Sequence, residues 1–181
     1  APAFGPVPLI FVRVTIAALL LLPPMLRQHG LAPARAAAAP LALVGALNTA
    51  IPFTLLAFAA LTLPAGLSSV LNASVPLFGG LIGFLWLGQR PTRHRALGLA
   101  VGFAGVVVLA WPRLTSANDW RAVVAALVAT MLYALSAHLT ARTLTGVRPL
   151  VVAGGSMAAA SVLLLPLAVV TWPAAPPPAS A

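Results

Sequence analysis

Residues 65–87 read AGLSSVLNASVPLFGGLIGFLWL, residues 88–95 read GQRPTRHR, and residues 96–111 read ALGLAVGFAGVVVLAW. Two uncharged runs flank a short turn that holds three arginines. A helix needs about 20 apolar residues to cross the hydrocarbon core of a bilayer. Helices satisfy their own backbone polar groups without water, so an apolar run inserted in lipid is read as helix. This stretch therefore predicts two membrane spans joined by a basic turn. The second run is short, and its helix is expected to start nearer Arg93.

The same pattern extends over the whole chain. Six spans are predicted, at 4–26, 41–61, 65–87, 96–111, 120–143 and 149–172, with brief linkers rich in turn-forming residues between them. Of the 181 residues, 61% are hydrophobic and 6% charged, and the mean hydropathy is +1.07. A soluble domain carries about 25% charged residues. The fold class expected is an all-α, polytopic transmembrane helix bundle, whose first partner is the lipid bilayer. The formal charge of +9 invites a nucleic-acid reading. The arginines mark the ends of apolar runs instead of lining one phosphate-binding face, so no nucleic-acid partner is expected.

The arginines also orient the bundle. Arg27, Arg35, Arg90, Arg93, Arg95, Arg142 and Arg148 fall in linkers on one side, and Arg113 and Arg121 on the other. The positive-inside rule makes the first side cytoplasmic. Trp111, Trp120 and Trp172 then mark the outer boundary. The localisation expected is a bacterial inner membrane, multi-pass. The start at Ala1-Pro2-Ala3 and the Pro-rich residues 172–181 suggest a piece of a longer protein, with no signal-peptide pattern at the front.

Two spans look alike. Pro8-Leu9 opens one that closes Leu20-Leu21-Leu22-Pro23, and Pro149-Leu150 opens another that closes Leu163-Leu164-Leu165-Pro166. Five crossings separate them. An odd number points the copies in opposite directions, as in an inverted-topology repeat, a common transporter plan.

Several residues stand out as candidates. Asn48 precedes Pro52 by four residues, and Asn72 precedes Pro76 by four. A proline lacks the N–H that would bond the carbonyl four residues back, so each Asn carbonyl loses its helical partner and the helix can bend there. Regular helical spacing would group Gly45, Asn48, Thr49 and Pro52 on one face, and Ser69, Asn72, Pro76, Gly79 and Gly83 on another. These faces suit either a polar cavity or close interhelical packing through small and amide residues. Thr130, Tyr133, Ser136 and Thr140 form a polar stripe on the fifth span. Arg13 lies inside the first span, where a charge by default marks a functional site; snorkelling to the outer interface is the alternative. The substrate-contacting candidates are thus Asn48, Thr49, Asn72, Tyr133, Ser136 and Arg13. Pro52 and Pro76 are the bending positions, and Gly79, Gly83, Gly98, Gly102 and Gly105 the packing ones. The packing partner is expected within the chain, with homodimerisation left open. His138 falls away from the polar stripe and is expected to be structural.

Some chemistry is excluded by composition. There is no cysteine, hence no disulfide or thiolate metal site. The single acid, Asp119, falls in an outer linker. No span holds a carboxylate for cation exchange. No metal-ligand cluster, paired carboxylates or nucleophile–base pair is present, so no catalytic residue, metal or cofactor is expected.

The segments Asn72-Ala-Ser-Val-Pro76-Leu-Phe, Trp86-Leu-Gly88-Gln89-Arg90 and Gly98-Leu-Ala-Val-Gly102-Phe-Ala-Gly105-Val, in that order, resemble the EamA domain of the drug/metabolite transporter superfamily. Phe11-Val-Arg13 resembles that family's second helix and Asn48 to Pro52 its third. The likeness runs from about residue 4 to residue 172. It implies a ten-helix carrier of two inverted five-helix halves, of which this chain would hold helices two to seven. Residues 1–115 would then be most of the first half, and 116–181 the start of the second. The implied function is export of small metabolites, amino acids or drugs by alternating access. A non-transporting scaffold or assembly subunit is the rival reading, and an intramembrane enzyme the third. Gln89 departs from the family, which usually has Glu there; this puts a latch role for the position in doubt.

Overall fold

The computed structural model describes residues 5–114 and 119–172. Phe4, residues 115–118 and the expected domain boundary at 115/116 lie outside them. Among the described residues the chain is helical throughout, with no strand. Six segments are long and apolar enough to cross a membrane: Pro6–His29, Ala38–Ala59, Ala65–Leu85, Arg93–Arg113, Trp120–Thr143 and Pro149–Val170. The fourth does begin at Arg93.

The first span is one helix, α1 (Pro6–His29), with Pro6 in its first turn and Arg27 and His29 in its last. Proline suits a position whose N–H has no helical acceptor, and basic residues suit the negative end of the helix dipole. Gly30, at φ 68°, ends the helix and bonds back to the Leu26 carbonyl. A short helix, α2 (Ala32–Ala36), leads to the second span. That span is composite: α3 (Ala38–Gly45), a π-helical turn (Ala46–Ala50) and α4 (Ile51–Ala59). The third span is broken into α5 (Ala65–Asn72) and α6 (Val75–Leu85). The remaining spans are α7 (Arg93–Leu114), α8 (Trp120–Thr143) and α9 (Pro149–Val170).

Both interruptions fall where a proline follows an asparagine by four residues, but they resolve differently. In the second span the N–H of Ile51 bonds the Ala46 carbonyl five residues back, so one wide turn absorbs the mismatch. In the third the helix stops after Asn72 and restarts at Val75. Ser74 is buried there and donates its hydroxyl to the Leu71 carbonyl at 2.6 Å. Pro23, Pro24 and Pro166, by contrast, sit inside continuous helices.

Contacts between helices depend on small residues. A Cβ on Gly45 would lie 2.5 Å from the Ser156 carbonyl oxygen, so the backbones of α3 and α9 touch. Helices α1 and α9, the two similar spans, pack along each other and are bridged by Thr15 Oγ1 and Ser161 Oγ at 2.7 Å. Leu77 fills the space beside Gly102, and Leu99 the space beside Gly80, so α6 and α7 interlock reciprocally. Phe78 and Phe103 meet edge to face at 5.5 Å in the same seam. Without a hydrophobic drive between helices in lipid, such close packing is what holds a bundle together. The outward residues are apolar: Leu20 is 70% exposed and Val108 71%. That is the surface of a protein whose solvent is lipid.

The linker ends sort as the arginine pattern requires. The α1–α3 connection and the α8–α9 turn share one cavity wall, through His29, Pro33, Gly146 and Arg148. Arg142, at the same end of α8, lies over the Trp86 ring at 5.5 Å. At the opposite end Ala59, Leu63, Leu71, Ala110, Ala122, Val123 and Ala126 form a dry cluster, and Arg113 pairs with Asp119 at 2.6 Å.

Candidate functional site

The polar residues of three spans converge on one open cavity of about 670 Å³. Asn48 enters it from the π turn, Ser136 and Thr140 from α8, and Ser156 and Met157 from α9. Leu144, Val147 and Pro149 line it near the α8–α9 turn, so the cavity reaches the arginine-rich end.

An aromatic layer lies next to it, beyond Met157. One turn from Ser136, Tyr133 meets Phe53 edge to face, with ring centroids 6.3 Å apart. The Arg13 guanidinium lies over the other side of this layer, 5.5 Å from the Phe53 centroid. Met157 joins the cavity to the cluster that packs Phe53 against Ile10, Val14 and Ala50. Of the sequence candidates, Asn48 and Ser136 share the cavity, and Arg13 and Tyr133 meet at Phe53 beside it. Arg13 is not extended to the helix end, as snorkelling would require. It is seven residues into α1, about 10 Å at 1.5 Å per residue, and its guanidinium is held by Phe53.

The π turn is what aims these residues. In a regular helix Pro52 would follow Asn48 on the same face. One surplus residue in the turn sets the following residues back by a position, so Phe53 takes that place beside α8. The expected face of Gly45, Asn48, Thr49 and Pro52 is consequently split. Asn48 is exposed to the cavity, whereas Gly45, Thr49 and Pro52 are buried. Thr49 is fully buried between helices, and its Oγ1 has no hydrogen-bond partner among the described residues.

Other candidates also fall elsewhere. Asn72 is exposed at the break in the third span and does not line the Asn48 cavity. Pro76 belongs to a separate cavity of about 350 Å³ with Gln89, Arg90 and Arg95. Gly102 lies against the Leu77 side chain of α6. Gly98 borders the same cavity as Pro76 and Gly105 is exposed, and no atom lies within 4 Å of either Cβ position. Gly79 contributes its carbonyl, which is 3.0 Å from His138 Nε2 and ties α6 to α8. His138 is accordingly an interhelical brace. Gly83 is buried, with Gln89 folded over it and the Gln89 N–H donating to its carbonyl at 3.0 Å. Gln89 thus caps α6 through a neutral backbone bond.

Sequence reasoning overlooked Phe53 and Ser156. Ser156 and Ser161 are the hydroxyls of an otherwise apolar α9, five residues apart. One faces the cavity and the other α1, and that was the available signal. Among the described residues no group of His, Asp and Glu has the makings of a metal site.

The model of the EamA-like transporter family matches residues 1–111. That covers four of the six spans and includes Arg13, Asn48 and Phe53; Tyr133, Ser136 and Ser156 lie beyond it. No curated protein and no solved structure matches the chain.

Proposed function

The chain belongs to the EamA-like transporter family, and from that premise we propose that it is a carrier of small solutes. Solute enters the polar cavity, contacts Asn48, Ser136, Tyr133 and Arg13, and leaves on the other side after the bundle rearranges. The observation that carries this reading is the cavity itself. It reaches the arginine-rich end, is lined by neutral hydrogen-bonding groups from three spans, and adjoins the Phe53–Tyr133 layer through Met157. A non-transporting scaffold has no use for such an opening in the middle of a packed bundle. Irregular backbone at membrane depth is tolerated where it is buried or borders a watery space, and the π turn borders this one.

The finer reading is export across a bacterial inner membrane. The arginine bias places the cavity mouth in the cytoplasm, so the conformation is open inward and sealed outward by the Ala59–Leu71–Ala126 cluster. The likeness and mutual packing of α1 and α9 support two inverted halves rocking about this pair. Substrate contacts are expected at Asn48, which is free of the packing that buries Thr49.

The test is flux. Cells or vesicles carrying the full-length protein are loaded with labelled amino acids and small metabolites, and efflux is compared with an empty control. Wild type should export at least one of them. Asn48→Leu should cut that rate roughly five- to tenfold, about the worth of one hydrogen bond, with membrane abundance preserved. Absence of flux for every solute, or full flux in Asn48→Leu, would refute the reading.

A further inference from the structure

We infer that the carried solute is an organic anion, and that Arg13 is the residue that selects it; this rests on the carrier reading above. The chain has ten basic residues and one acid. That acid, Asp119, is paired with Arg113 at the far end of the bundle. Among the described residues Arg13 therefore has no carboxylate partner, and its company is the face of Phe53. Arg13 is exposed on α1 but lies within a membrane span, where a charge needs an opposite charge or a full set of hydrogen bonds. A ring face meets only part of that need, and a guanidinium presents five donors in a planar fork suited to carboxylate or phosphate.

The rest of the path has the same bias. The cavity lining contains Asn48, Ser136, Thr140 and Ser156 and no acidic residue. A cationic solute would meet no counter-charge there. The mouth adjoins Arg148 and, in the neighbouring cavity, His29, so its field draws anions in. An anionic head would pass the neutral hydroxyls and amide and reach the Arg13 layer. An apolar or aromatic body suits Met157, Val152 and the Phe53–Tyr133 rings.

The experiment measures binding and flux separately, on the full-length protein in lipid nanodiscs and in vesicles. The probes are benzoate, phenyl phosphate, the neutral benzamide and the cation benzylammonium, with affinity read by calorimetry. Wild type should bind benzoate or phenyl phosphate roughly tenfold or more tightly than benzamide, the worth of a charge-assisted hydrogen bond, and benzylammonium most weakly. Which anion leads separates a carboxylate from a phosphate head. Arg13→Gln should bring the anion-to-amide ratio close to one, and Arg13→Lys should retain part of it. The wild-type ratio needs no variant, so a poorly folding Arg13→Gln does not spare the proposal. A ratio near one in wild type, or one unchanged in folded Arg13→Gln, overturns it, as does failure of both anions to bind. Charge-selective binding without flux would count against the carrier reading alone. Flux that ignores solute charge would count against this inference alone.

Discussion

Replacing Gly45 by alanine tests how this bundle is held together. The new Cβ would lie 2.5 Å from the Ser156 carbonyl oxygen and 3.1 Å from the Ala160 nitrogen, and ordinary contact begins near 3.4 Å. Helix α9 would have to retreat by about 0.9 Å at Ser156, the shortfall from that contact distance. Neither neighbour is the end of a flexible side chain; both are backbone. Nor is α9 free to move, since Thr15 and Ser161 tie it to α1, and Met25 fills the space beside Gly154. Overpacking of this sort costs about 1–3 kcal/mol. Alanine recovers about 0.5–1 kcal/mol of helix propensity over glycine. The expected net loss is about 1–2 kcal/mol, read from reversible SDS unfolding in mixed micelles followed by tryptophan fluorescence. Gly98→Ala is the matched control. No atom lies within 4 Å of its Cβ position, so it should be neutral or gain up to about 1 kcal/mol. Wild-type stability in Gly45→Ala, or an equal loss in Gly98→Ala, would refute the reasoning.

Three further outcomes are expected. An impermeant thiol reagent added outside intact cells should label Thr62→Cys and spare Thr92→Cys; the reverse pattern would invert the orientation and put the cavity mouth outside. Asn72→Leu should leave efflux near wild type while Asn48→Leu lowers it, and an equal transport defect in both would return Asn72 to the solute path. His138→Gln should cost about 0.6–2 kcal/mol, the range for one interhelical hydrogen bond, and leave the pH profile of efflux unchanged. A flattened profile in well-folded protein would make His138 a proton carrier.

The spans were legible because lipid imposes a one-dimensional rule: a long enough apolar run, closed by arginine or tryptophan. Even the start of α7 at Arg93 followed from span length alone. The positions of the two interruptions were legible too, since Pro52 and Pro76 each deprive a carbonyl of its donor. What each interruption became was not. Neighbouring helices decide whether a missing hydrogen bond is absorbed in a wide turn or ends the helix. In the second span the face beyond Asn48 was misplaced for the same reason, because a regular 3.6-residue period has no place for a surplus residue. Thr49 and Pro52 were therefore placed on the cavity face, and Phe53 was missed. Gly98 and Gly105 illustrate a second limit. Glycine spacing marks a helix face that permits close approach, and it does not say whether another helix is there.

The wide turn at Ala46–Ala50 also governs what changes of length the second span can take. Removing one residue there would let the turn relax into ordinary helix and shorten the span by only about 1.5 Å, well within what a bilayer accommodates. Insertion and topology would survive. With the residue taken from between Asn48 and Pro52, Phe53 would follow Asn48 by four residues in regular helix and keep its place beside Arg13 and Tyr133. In an alignment of relatives, a single gap at this position thus joins chains whose second spans present equivalent residues to the cavity, one through a wide turn and the other through regular helix.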